Sequence, residues 1–137
     1  MKRKKLLFVF NPHSGKGQIK SKLLDIVDTF VKGGYEVTIH PTQAPQEARK
    51  MVAEKAGKYD LVVCSGGDGT LDEAVSGMMR REERTAIGYI PAGSTNDFAN
   101  SLKLPKDMVK AAQTAIGGVS FPCDVGNMNG KFFVRCV

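Results

Sequence analysis

The chain has 137 residues, 42% hydrophobic and 25% charged, with a formal net charge of +6. That size and balance describe one globular domain and exclude disorder, because enough residues can be buried to offset the entropy of ordering the chain. They also exclude a membrane-spanning helix, since no apolar run approaches the roughly 20 residues a crossing needs, while the positive charge points to an anionic partner such as a nucleotide, a membrane surface or nucleic acid.

The opening, MKRKKLLFVF, starts like a signal peptide, but its apolar stretch is short and no small-residue cleavage site follows, so a cytosolic protein is expected. Leu6 to Phe10 is a short, β-prone apolar run and predicts a buried first strand, closed by the turn pair Asn11-Pro12. From about Gln18 to Lys32 the period becomes helical, with Leu23, Leu24, Val27, Phe30 and Val31 on one face and Gly33-Gly34 as the stop. Tyr35 to His40 predicts a second strand, closed by Pro41, and a second helix follows Pro45 with Ala48, Met51, Val52 and Lys55 along one side. Tyr59 to Cys64 predicts a third strand, then the turn Ser65-Gly66-Gly67-Asp68-Gly69-Thr70, then a third helix facing inward through Leu71, Ala74, Val75, Met78 and Met79. Ala86 to Ile90 predicts a fourth strand that runs into Pro91-Ala92-Gly93-Ser94-Thr95-Asn96-Asp97. A short helix from Asp97 to Leu102 and a last one from near Asp107, with Met108, Ala111, Ala112, Ala115 and Ile116 inward, complete the alternation.

This order predicts a three-layer α/β fold, a mostly parallel sheet with helices on both faces and right-handed crossovers. Ligands of such sheets bind beyond the carboxyl ends of the strands. Glycine is over-represented, with 15 of 137 residues where a share of roughly 7% is usual. Gly15, Gly17, Gly66, Gly67, Gly69 and Gly93 all fall in loops at that one edge. The tail changes character. Val119 to Val125 and Lys131 to Val137 read as two strands around a turn from Gly126 to Gly130, where Asn129-Gly130 is a hairpin signal. Residues 1–118 therefore read as the α/β domain, and 119–137 as a switch to a β-hairpin. The three cysteines, Cys64, Cys123 and Cys136, are odd in number and form no CxxC pair, which supports neither a disulfide framework nor a zinc site.

Three loops carry chemistry. In Gly66-Gly67-Asp68-Gly69-Thr70 the glycines let the backbone turn sharply and approach a ligand, and amides at a helix start attract phosphate. Asp68 fits such a loop when a cation, Mg²⁺ with phosphate oxygens, neutralises it. Neither the GxxxxGK[ST] nor the GxGxxG nucleotide pattern is present, and a plain glycine-rich turn is the competing reading. In Asn11-Pro12-His13-Ser14-Gly15-Lys16-Gly17, Lys16 can meet a phosphate as a point charge, and Asn11 and Ser14 can hydrogen-bond a nucleotide. His13 reads as a solvated loop residue. In the third loop Ser94, Thr95 and Asn96 offer hydrogen bonds and Asp97 can orient Lys16 or a metal-bound water, while Thr95 or Asn96 also suits a helix cap. Together the loops hold the groups that a nucleoside triphosphate with Mg²⁺ requires.

NPHSGKG, GGDGT and PAGSTNDFA, in this order and spacing, resemble the catalytic domain of diacylglycerol kinases and related bacterial lipid kinases, over nearly the whole chain. GGDGT is shared with NAD kinases and sphingosine kinases, and NDFA after a Pro-x-Gly turn narrows the likeness to the lipid-kinase side. The tail, from Cys123-Asp124-Val125-Gly126 through Asn129-Gly130-Lys131-Phe132-Phe133, is similar to that family's entry into its second domain, which implies that 119–137 is the start of a β-rich second domain that is cut short. The resemblance implies an ATP site lined by Asn11, Pro12, His13, Ser14, Gly15, Thr42, Gly66, Gly67, Asp68, Gly69, Thr70 and Ser94. It implies that Lys16, Asp68, Asp97 and Asp124 form the polar network near the phosphates, the three aspartates serving Mg²⁺ through water. Asparagine is usual after GGDGTL, where this chain has Asp72.

The same resemblance implies transfer of the γ-phosphoryl group of ATP to a lipid hydroxyl, diacylglycerol giving phosphatidic acid in phospholipid biosynthesis. The general base and further metal ligands are expected in the missing β-rich domain, so these residues alone are expected to be inactive. It implies a lipid substrate at the inner face of the membrane and is compatible with a homodimer of the complete enzyme, while the scarcity of base-stacking aromatics and the absence of Trp argue for no nucleic-acid partner. The alternatives are an NAD kinase-like or sphingosine kinase-like acceptor, or a non-catalytic nucleotide-binding module.

Overall fold

The computed structural model describes residues 3–92, 107–117, 123–128 and 131–136. Its centre is strand β1, Lys4–Phe10, in which Leu6 to Phe10 are all buried. An unbroken apolar run suits a strand covered on both faces, as in a parallel sheet. A 3-10 turn, Ser14–Gly17, leads into helix α1, Gln18–Lys32, and the chain returns in β2, Tyr35–Pro41. Helix α2, Glu47–Lys55, precedes β3, Leu61–Gly66, and helix α3, Asp68–Met79, precedes β4, Ala86–Pro91. Helix α4 spans Met108–Ile116. The four strands are parallel in the order β2-β1-β3-β4.

Strand side chains alternate between faces, and the core divides accordingly. Leu6, Phe8, Phe10, Leu61, Val63 and Ile90 pack against α1 and α4 through Ile26, Phe30, Met108 and Ala112. Leu7, Val9, Val62, Cys64 and Tyr89 pack against α2 and α3 through Val52, Leu71, Ala74 and Met78. The expected three layers are present. The rings of Phe8 and Phe30 meet edge to face at 5.5 Å, which locks α1 onto β1.

Several boundaries differ from the periodicity. In α1 the buried residues are Ile19, Ile26 and Phe30, while Leu24 is 81% exposed and Val31 is exposed as well. The helix carries more apolar residues than one face holds, and the sheet selects the stripe around Ile26. Strand β3 starts at Leu61 and runs through Gly66, and α3 starts at Asp68. Asp68, Gly69 and Thr70 therefore form the first helical turn instead of a loop. The tail is a two-stranded antiparallel sheet, β5 Cys123–Met128 with β6 Lys131–Cys136. The pairing of Met128 with Lys131 shortens the expected five-residue turn, because Gly126 to Met128 stay in the ladder. Strand β6 runs alongside α3. Positions 129–130 and the expected helix from Asp97 to Leu102 lie outside the described residues.

Cys64 is fully buried in β3, its thiol 3.7 Å from the Gly88 carbonyl, and burial pushes its pKa up to about 12. A thiol whose folded pKa is raised stabilises the fold fully below its ordinary value near 9, and that contribution is lost as pH climbs through 12. Urea midpoints should therefore fall steadily from pH 9 upward, and Cys64→Ala should flatten that slope while lowering stability at pH 7 through the cavity it leaves.

Candidate functional site

The helix after β1 covers one face of the sheet and the helix after β3 covers the other, although β1 and β3 are neighbours. The chain thus parts in opposite directions above two adjacent strand ends, and in open α/β sheets such a switch point is where the ligand crevice lies.

The first wall is the Asn11–Gly17 turn. The Asn11 amide donates to the Ser65 carbonyl at 3.0 Å, which ties the ends of β1 and β3 together. The Asn11 side-chain oxygen accepts from the His13 amide at 3.0 Å, and its carbonyl accepts from the Ser14 amide at 3.3 Å. Asn11 therefore shapes the turn as well as flanking the crevice. Pro12 and Ser14 are half-buried and His13 is exposed, as expected of a solvated loop histidine. Gly15 and Lys16 lie in the 3-10 turn, and Gly17 starts α1 at a φ of 74°, in the left-handed region that glycine enters without strain. Thr42 joins from beyond β2. Its amide and hydroxyl donate to the Phe10 carbonyl at 2.8 and 3.3 Å, holding it beside the end of β1. The loop behind it is braced by Glu47, which accepts from the Gln43 amide and lies 3.3 Å from His40 Nε2.

The second wall is the start of α3. Gly66 has no room for a side chain, because a Cβ there would strike the Thr70 hydroxyl. Gly67 caps the helix with its carbonyl, which accepts from the Thr70 and Leu71 amides at 3.1 and 3.3 Å. Gly69 is different: a Cβ there would meet none of the described residues within 4 Å. Asp68 lies in the first turn, where the helix dipole favours a negative charge. Asp72 stands one turn on. Burial and then the charge of Asp68 hold its carboxyl above the usual carboxylate range. A raised carboxyl is a penalty when ionised, so this site relaxes as pH falls through its titration.

Asp107 caps α4 by accepting from the Lys110 amide at 3.0 Å. At α2 the N-cap Gln46 makes no side-chain cap; burial raises the nearby Glu73 carboxyl, and the amides of Ala48, Gln46 and Arg49 lower it. Glycine occupies the N-cap of both α1 and α3, so neither has a capping side chain at that position. At α3 the Thr70 amide is taken by the Gly67 carbonyl, and a glycine start offers the amides before it to a ligand or solvent. The Ser65 hydroxyl, buried at the end of β3, also has no hydrogen-bond partner among the described residues.

Of the remaining expected site residues, Asp124 stands in β5 opposite Arg135, in the hairpin whose other strand adjoins α3. Ser94 and Asp97 lie outside the described residues. No group of three or more His, Cys, Asp or Glu gathers among the described residues. Motif reading missed Ser65 and Tyr89, which touch the glycine turn from the strands. For Tyr89 the available signal was a polar group inside an apolar strand; for Ser65, at the end of β3, it was a hydroxyl directly before the glycine turn.

A doubly wound α/β domain with two glycine-started helices at its switch point defines an anion-receptive class of protein. The family model described as the diacylglycerol kinase catalytic domain matches residues 5–128, and the chain belongs to that family. It is 40% identical over 137 residues to a diacylglycerol kinase of Bacillus subtilis strain 168, covering 98% of this chain and 45% of the relative. It is 37% identical over 137 residues to a diacylglycerol kinase of Staphylococcus carnosus strain TM300, covering 97% of this chain and 44% of that one. A crystal structure of a diacylglycerol kinase from Bacillus anthracis strain Sterne superposes with a TM-score of 0.86 at 33% identity, covering 97% of this chain and 46% of that chain. The chain thus spans less than half the length of these relatives. No helix among the described residues is long and apolar enough to cross a membrane.

Proposed function

We propose that the crevice between β1 and β3 binds ATP with Mg²⁺, and that the chain is the nucleotide-binding part of a lipid kinase converting diacylglycerol to phosphatidic acid. The observation that carries this reading is the pair of glycine-started helices, α1 and α3, that leave the ends of the neighbouring strands β1 and β3 toward opposite faces of the sheet. The amides of α1 and α3 would hold the phosphates, with Lys16 as a point charge and Asn11, Thr42, Ser94 and Thr70 as polar lining. The Ser65 hydroxyl is a buried polar atom that a bound water or ligand oxygen would satisfy. Asp68, with Asp97 and Asp124, would hold Mg²⁺ through water. Bound Mg²⁺ neutralises phosphate charge and favours departure of ADP. The residues of this chain orient and neutralise the triphosphate, and the lipid hydroxyl and its base come from elsewhere in the enzyme. The complete enzyme would act on its lipid from the cytoplasmic face of the membrane.

The test is calorimetry of the 137-residue chain with MgATP, beside a radiolabelled phosphoryl-transfer assay on diacylglycerol in mixed micelles. Saturable MgATP binding without lipid phosphorylation is expected, and absence of nucleotide binding sinks the reading. Gly69→Ala sharpens it. A glycine within a helix costs up to about 1 kcal/mol relative to alanine, and no described residue needs Gly69 bare. The variant should melt higher by a few degrees yet bind MgATP about tenfold more weakly, because the added methyl projects where a phosphate would approach.

A further inference from the structure

The Gly66 carbonyl, at the end of β3, accepts two hydrogen bonds. The Ala92 amide donates at 2.9 Å and the Tyr89 hydroxyl at 2.8 Å. Both donors come from the end of β4, on the side of β3 opposite β1. A trans peptide points its C=O and its N–H in opposite directions, and the described chain has no cis peptide. With the Gly66 carbonyl drawn toward β4, the Gly67 N–H faces back toward β1, over the crevice. Among the described residues no backbone carbonyl accepts from it.

Tyr89 is 7% exposed and packs with Leu71, Val75 and Cys64 beneath α3. An aliphatic residue would fill that space equally well, but a buried phenol requires a partner, and this one has taken the carbonyl that sets the glycine turn. Burial, with smaller contributions from Cys64, Asp68 and Asp72, pushes the phenol well above its ordinary pKa, so it remains a donor at every physiological pH.

We propose that Tyr89 is a positioning residue of the nucleotide site: by fixing the Gly66 carbonyl it aims the Gly67 N–H into the crevice between β1 and β3 as a donor to the phosphates of ATP. This rests on the ATP reading above. Neighbouring parts of the turn have other supports, namely the fit of Thr70 against Gly66 and the helix start at Gly67. The peptide between Gly66 and Gly67 is held toward β4 by the Ala92 amide as well, and the phenol adds the second donor that fixes its orientation.

The experiment is Tyr89→Phe in the 137-residue chain, followed by amide NMR and by MgATP titration well below the melting temperature. The Gly67 and Ala92 amide resonances should shift without nucleotide present, and the Kd for MgATP should rise about 3- to 10-fold, the effect of one net hydrogen bond. A purely structural role would lower the melting temperature and leave both Kd and the Gly67 resonance of the folded protein unchanged, which overturns the proposal. If the variant does not fold, the wild-type chain still decides: the Gly67 amide must move on saturation with MgATP, and an unmoved resonance also overturns it. A wild-type chain that binds no MgATP instead refutes the nucleotide reading. Normal binding with an indifferent Y89F variant refutes only the role of Tyr89.

Discussion

Asp68→Asn should abolish the magnesium dependence of ATP binding while leaving the fold intact. With the carboxylate present, ATP should bind more tightly with Mg²⁺ than with EDTA. In the variant that ratio should fall about 10- to 100-fold, the usual cost of losing an outer-sphere partner of a metal. In the complete enzyme, turnover of diacylglycerol should drop by about 10²–10³. The asparagine keeps the size of the side chain and loses a favourable charge in the first turn of α3, worth about 0.3–1 kcal/mol. It also removes the smaller of the two effects that raise Asp72, the larger being burial. Binding is therefore compared well below the melting temperature of both proteins. Wild-type turnover, or an unchanged Mg²⁺ response, would remove Asp68 from the site.

Gly77→Val should be the most destabilising single change in α3, with native activity surviving only in the fraction that remains folded. A Cβ at Gly77 would strike the Arg49 carbonyl and lie 3.0 Å from Val52 Cβ and 3.1 Å from the Ala53 nitrogen. These are largely backbone contacts of α2, which cannot rotate away. Alanine would gain about 1 kcal/mol in helix propensity and still lose more to the clash. Valine should cost about 3 kcal/mol or more, as overpacking against backbone does. Chemical denaturation of both variants measures this, and a neutral Gly77→Val would show that α2 and α3 separate without penalty. The contrast with Gly69 lies within one helix. Gly77 is required by a neighbouring helix, whereas no described residue requires Gly69 to be bare.

The order of strands and helices was legible in the sequence because it depends on local period. Five apolar residues in a row at Leu6–Phe10 suit a strand covered on both faces, and spacing by three and four marks α1, α3 and α4. The site motifs were legible for a similar reason: glycines clustered after strands lie, in any doubly wound sheet, at the same edge. Which face of α1 is buried was not legible, since Leu24 and Ile26 are equally apolar and only the position of β1 and α4 selects between them. The helical start at Asp68 was also hidden, because Gly69 argues against a helix by propensity and the packing of Thr70 on Gly66 overrides it.

From the sequence alone follow the α/β order, the glycine-lined edge and the resemblance that named candidate residues, all of which depend on residue type and short spacing. Tertiary structure alone decided that α1 and α3 diverge above neighbouring strands and that Tyr89 bonds the Gly66 carbonyl. Those features depend on which segments become neighbours in space. Tyr89 and Gly66 are 23 residues apart, and no local pattern carries the direction in which a peptide between two strands will point.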